Sequence, residues 1–297
     1  VSDNGTGLST LYNGIGNKQG LVVTIPVPAG HAPPSAPTGI VFNGTADFAL
    51  PASGPARFIF VTEEGTIAGW NGGTIATIVV NNSNKGAVYK GCTIGEFNGK
   101  HYLYVANFHS GEIEVYDAAF SPVQGLNSAF NQHRENYSPF NVQAIGTSIY
   151  VAFAKPDAEG HDEVAGAGLG FVDVYDTGGR RLSRLERGPW FNAPWGMAMA
   201  PGEFGEFSHS LLVGMFGSGQ IAAFNPADGS FLGLMKRPSD DSVLSIEGLW
   251  AIGFGAGNAN SGPYNTLYFT AGPNDEHDGL FGTLVPIPAE LSEADEP

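Results

Sequence analysis

The chain has 297 residues, 42% of them hydrophobic and only 14% charged, with 43 glycines, 20 prolines and a formal net charge of −16. This apolar content excludes a disordered chain, the glycines lack the strict period of collagen, and no apolar run is long enough to span a bilayer. The negative charge repels nucleic acid and anionic membranes and attracts cations, although solubility alone also accounts for it.

In chain order, "VSDNGTGLSTLYN" at residue 1 reads as strand, glycine turn, strand, followed by a further strand in "GLVVTIPV" at 20–27. "APTGIVFN" at 36 is a short strand opened by proline and glycine, and "FIFVTEEGTIAGWN" at 58 repeats the hairpin, with "TIATIVVN" at 74–81 after it. "YKGCTIGEFNG" at 89 then precedes a third hairpin, "LYVANFHSGEIEVYD" at 103, and "SPFNVQAIG" at 138 precedes "IYVAFAKPD…GLGFVDVYD" at 149. The pattern recurs as "NAPWGMAMAP" at 192 with "LLVGMFGSGQIAAFN" at 211, and as "IEGLWAIGFG" at 246 with "LYFTAGPNDEHDGLFGTL" at 267. Each hairpin alternates apolar and polar residues around a glycine turn, the signature of half-buried strands.

Six such units, each of about four short strands, predict an all-β fold: a six-bladed β-propeller of four-stranded antiparallel blades. One propeller domain is expected over 1–288, with an acidic tail at 289–297 that reads as disordered. The first unit starts inside its second strand and the last lacks an outer strand. Closure strands are therefore expected upstream, or from the tail. The opening "VSDNG", without initiator Met or signal peptide, reads as a processed or truncated start.

"PTGIVFN" and "APWGMAMAP" resemble NHL-type propeller repeats, and "YVANFHSGEIEVYD" resembles the YVTN type. Together with "SPFNVQ", "NAPWG" and "NDEHDGLFG", the chain is similar to a family of secreted bacterial propellers. That resemblance implies a secreted, periplasmic or extracellular setting and the propeller fold. It implies no chemistry, because propellers host unrelated functions.

In such a fold the first strand of each unit lines a channel, and the turns between second and third strands gather on one face with the blade entries. His109 in "NFHSG", with Asn141, Trp195 and Trp250 from the blade entries, is the expected ligand-binding set. His109 is a candidate acid or base against an ordinary exposed turn histidine. The tryptophans are a candidate sugar platform against core packing. Two loops concentrate charge: "DAEGHDE" holds Asp157, Glu159, His161, Asp162 and Glu163, and "NDEHDG" holds Asp275, Glu276, His277 and Asp278. Oxygen-rich loops suit Ca²⁺, and histidine shifts the preference toward Zn²⁺, so a divalent cation is the one cofactor they would take. Solvated loop charge is the competing reading, since neither loop has an EF-hand or H-E-x-x-H spacing. Cys92 is alone, which leaves no intrachain disulfide, and reads as a small buried hydrophobe. Neither a G-x-S-x-G elbow nor a Walker loop occurs.

Two functions remain open at this point. One is a non-catalytic binding or scaffold propeller recognising a small molecule, carbohydrate or protein. The other is a metal-dependent hydrolase of lactonase or esterase type, with a cation polarising a carbonyl at the channel mouth.

Overall fold

The computed structural model describes residues 1–51, 53–131 and 136–286. The expected acidic tail lies outside them. By its contacts the chain divides into two compact units: residues 1–11, 20–164 and 172–182 form the first, and residues 12–19, 165–171 and 183 onward the second.

Strands dominate, in six successive antiparallel sheets. The first holds β1 (Ser2–Asp3), β2 (Leu8–Tyr12) and β3 (Lys18–Thr24). The second begins with β4 (Pro37–Phe42), breaks for a small hairpin of β5 (Ala49–Leu50) and β6 (Gly54–Pro55), and continues as β7 (Phe58–Thr62), β8 (Thr66–Trp70) and β9 (Thr77–Asn81). The third holds β10 (Tyr89–Phe97), β11 (Lys100–Asn107) and β12 (Glu112–Tyr116), followed by helix α1 (Gln124–Phe130). The fourth holds β13 (Ser138–Ile145), β14 (Ser148–Ala154), β15 (Phe171–Asp176) and β16 (Arg181–Arg184). The fifth holds β17 (Pro194–Met199), β18 (Leu211–Met215), β19 (Ile221–Phe224) and β20 (Phe231–Leu234). The sixth ends the described chain with β21 (Leu249–Phe254), β22 (Leu267–Ala271) and β23 (Leu280–Leu284). All six hairpins of the sequence pattern are second and third strands. Among the described residues, the first sheet has no strand in first position and the sixth none in fourth.

Apolar layers lie between successive sheets. Val23 and Ile25 pack on Phe60, Ala68 and Trp70 between the first and second. Ile59, Val61 and Ile67 pack on Cys92, Leu103 and Val105 between the second and third. In the second unit Leu212, Ile221 and Ala223 meet Leu249, Leu267 and Phe269. The middle strands are therefore covered on both faces. This explains why "LLVGM" and "TIAGW" are buried throughout, whereas outer strands β9, β16 and β20 stay partly exposed.

First strands lie side by side within each unit, and each of the five carries a bulge at the same place, between Pro37 and Ile40, Tyr89 and Cys92, Pro139 and Asn141, Pro194 and Met197, and Leu249 and Ile252. In three of these bulges, those of β4, β10 and β17, the backbones approach so closely that only glycine fits. A Cβ on Gly39 would lie 2.8 Å from the Cys92 nitrogen and the Lys90 oxygen, and one on Gly196 would lie 2.7 Å from the Trp250 oxygen. Thr38 Oγ1 donates across the same gap to the Tyr89 carbonyl at 2.8 Å. Stacked antiparallel sheets with neighbouring first strands define a β-propeller, and six sheets are consistent with six blades.

The third sheet departs from the pattern of a strand after each hairpin. In place of a fourth strand, α1 covers the β12 edge. Asn131 Oδ1 accepts from the Ile113 amide at 3.0 Å while its Nδ2 donates to the Ile113 carbonyl at 3.2 Å. Asn127 Oδ1 accepts from the Val115 amide at 2.8 Å, and the Val123 amide donates to the Val115 carbonyl at 2.8 Å. A carboxamide is chemically a peptide group, so two asparagines one turn apart satisfy the edge that a strand would otherwise pair. Phe130 anchors the helix between Tyr104 and Tyr175, at ring separations of 5.4 and 5.2 Å.

Candidate functional site

In the first unit, His109 is exposed on the β11–β12 turn, and its Nδ1 lies 3.1 Å from the Glu159 carbonyl of the long 155–170 connection. The same connection is tied down from inside. Lys90 is 2% exposed; its Nζ lies 2.5 Å from Glu63 Oε1 and 3.1 Å from Asp162 Oδ1. Burial works to lower the Lys90 pKa, but the Glu63 and Asp162 carboxylates together outweigh it, and the net direction is upward. Partial burial works to raise the Asp162 pKa, but Lys90, with His161 beside it, turns the net shift downward. Asp157 accepts from the His161 amide at 2.9 Å, and Glu163 bridges to Pro156 in a local ladder. Asn141 is buried on β13, where Gly91 leaves room for its side chain, and its Oδ1 accepts from its neighbour's amide at 2.8 Å.

In the second unit, Trp195 is buried and meets Trp250 edge-to-face at 4.8 Å, while Phe216 lies 4.1 Å from Trp250. Trp250 Nε1 donates to Glu276 Oε1. Asn274, Asp275 and Glu276 all adopt positive φ, near +59°, +50° and +62°, in an exposed turn closed by the Glu276, His277 and Asp278 amides. The tryptophans thus pack against each other and Phe216. Among the described residues no group of three or more His, Cys, Asp or Glu side chains converges to hold a metal ion. Asp162 faces Lys90, and Asp157 caps its own turn.

A second candidate lies in the first unit, between the second and third sheets: a cleft of about 340 Å³. Alternation along β12 places Glu112, Glu114 and Tyr116 on the face that lines it. The turn after β9 contributes Asn82 and Lys85, and α1 contributes Gln124 and Asn127. At its floor Glu114 is held by neutral donors. Asn107 Nδ2 donates to Oε1 at 2.7 Å, while Tyr89 Oη and Tyr116 Oη donate to Oε2 at 2.7 and 2.5 Å. Asn82 Nδ2 donates in turn to both phenolic oxygens, at 2.7 and 2.9 Å. Burial, then the Glu114 charge, pushes both phenol pKa values well above the usual tyrosine range. The phenols are therefore fixed donors at neutral pH. Of these groups the sequence reading singled out none, although the period-two spacing of "EIEVY" was the available signal.

The fold and this cleft define a β-propeller with a polar cavity between neighbouring blades. No protein-family model matches the chain. It is 30% identical over 300 residues to the uncharacterized protein L690 of Acanthamoeba polyphaga mimivirus, an alignment covering 95% of this chain and 75% of that protein. It is 29% identical to the uncharacterized protein R648 of the same virus, covering 96% and 71%. The chain belongs to the family of L690. Among solved structures it is similar to a chain of the nidogen/laminin complex, with TM-score 0.53, 12% identity and coverage of 94% and 93%. It is also similar to a streptogramin B lyase, with TM-score 0.50, 15% identity and coverage of 90% and 70%. At those identities the likeness concerns the fold.

Proposed function

We propose that this propeller is a non-catalytic binding module whose ligand occupies the cleft between the second and third sheets. The observation that carries this reading is the Glu114 network: a carboxylate locked by three neutral donors at the base of a polar cavity. Preorganised donors and acceptors of this kind give orientation and specificity in small-molecule sites. The phenols, held protonated, are poor proton acceptors at neutral pH, where an effective general base has a pKa near the working value.

Thermal-shift screening of a small-molecule library, followed by calorimetry of the hits, tests it. Saturable binding is expected, lost in Glu114→Gln, with no turnover of ester or lactone panels above the buffer rate. Turnover that disappears in Glu114→Gln would make the cleft an active site and overturn the reading.

A further inference from the structure

We infer that the cleft accepts a neutral, polyhydroxylated ligand, a mono- or disaccharide, an inference that rests on the binding reading above. The electrostatics of the walls decide between ligand classes. Glu112 and Glu114 repel an anion. For a metal ion, Glu114 is already engaged on both oxygens, and the described residues offer no three-ligand group. An organic cation is drawn by two carboxylates against Lys85, but it finds both oxygens of Glu114 already engaged by neutral donors.

A neutral polyol meets no such opposition. Its hydroxyls both donate and accept, which suits walls that mix carboxamides, carboxylates and an ammonium group. Asn82 spends both Nδ2 hydrogens on the phenols, so its Oδ1 is the acceptor left to a ligand hydroxyl. Gln124 at the rim supplies both a donor and an acceptor, and Lys85 supplies donors. Pro122, with the small part of Phe120 that is not buried against Phe48, gives an apolar surface for the C–H face of a sugar ring. The cavity volume sits at the low end of small-molecule sites, about 300–1,000 Å³, enough for about one or two sugar rings.

The test uses the whole chain labelled with 3-fluorotyrosine, with the Tyr89 and Tyr116 resonances assigned through Tyr89→Phe and Tyr116→Phe. The probes are neutral disaccharides (maltose, cellobiose, lactose and chitobiose), spermidine as a cation and glucose 6-phosphate as an anion. At least one neutral disaccharide should shift both resonances saturably, and Glu114→Gln should weaken it at least about tenfold with an unchanged fluorine spectrum at the other tyrosines. Shifts with spermidine or glucose 6-phosphate but with no neutral sugar would overturn the ligand class and leave the cleft reading standing. Calorimetric binding of any probe that leaves both resonances unmoved would overturn the cleft as the site. No binding by any probe would overturn the saccharide inference, while the library screen of the wider reading would still stand as its own test.

Discussion

Lys90 is a charged side chain almost fully removed from water, and its partners are unequal. Glu63 is itself largely buried, whereas the Asp162 side chain is 62% exposed. Removing the lysine strands the Glu63 carboxylate, so Lys90→Met should cost about 3–5 kcal/mol in urea unfolding, and the double variant Lys90→Met/Glu63→Leu should recover most of it. The linkage has a sign at each end of the pH scale. The raised Lys90 pKa contributes stability that is complete below the ordinary lysine value of 10.5 and lost as pH climbs through the folded value. The lowered Asp162 pKa contributes above its ordinary value of 3.8 and is lost as pH falls through the folded one. Hydrogen exchange in the 157–163 segment should therefore accelerate in acid before the sheets open. The phenols shift in the same direction for a different reason: Tyr89, Tyr104, Tyr116 and Tyr150 are all raised by burial, which disfavours the phenolate. An alkaline absorbance titration should leave about four of the ten tyrosines un-ionised until unfolding releases them. Full titration of all ten on the native protein would contradict the packing at the cleft floor.

At the scale of elements, the bulges of β4, β10 and β17 make glycine obligatory at one position each. A Cβ on Gly91 would lie 2.1 Å from Asn141 Oδ1 and 2.7 Å from its Cα, so Gly91→Ala should cost about 1–3 kcal/mol, read as a lower urea midpoint with unchanged slope. Helix α1 gives a separate expectation. Asn127→Ala and Asn131→Ala should each speed exchange of one β12 amide, Val115 and Ile113 respectively, and cost about 1–3 kcal/mol for the orphaned donor. Equal protection in both variants would mean that water or a shifted segment serves the edge instead. These elements also mark where the sequence was and was not readable. Hairpins and blade entries were legible because alternation and Pro–Gly openings are local. Helix α1 was not, because Gly125, Asn127 and Ser128 are weak helix formers and the helix owes its place to β12 and to Phe130. Lys90 was equally silent: its second partner stands 72 positions away. Loop charge, conspicuous in the sequence at 157–163 and 272–278, is partly engaged locally: Asp157 with the His161 amide, Asp162 with Lys90, Glu276 with Trp250 and Asp278 with Asn274. The floor of the cleft, one carboxylate among neutral donors, comes from ordinary strand and turn residues.

For the molecule as a whole, a net charge of −16 with only 13 basic residues means self-repulsion at low ionic strength. Raising NaCl from about 10 to 150 mM shortens the screening length from about 30 to 8 Å, and the melting midpoint should rise by a few degrees. At constant ionic strength, replacing Na⁺ by Ca²⁺ or Zn²⁺, or adding EDTA, should add nothing further, because the described carboxylates do not gather in threes. A shift specific to one metal, abolished by Asp275→Ala with Asp278→Ala, would show instead that the sixth-sheet turn binds a cation.

One wall of the cleft is not part of any ladder. Helix α1 lends it Gln124 and Asn127, yet the segment is attached to β12 mainly through two side-chain amides and the Val123 amide. A replacement insert that kept those contacts, Asn127 among them, and an aromatic anchor could differ at Gln124 and its neighbours without disturbing the register of a single strand. On the binding reading proposed above, selectivity would be altered by exchange of one short cassette while the blades stay fixed, much as antibody loops vary on a constant framework.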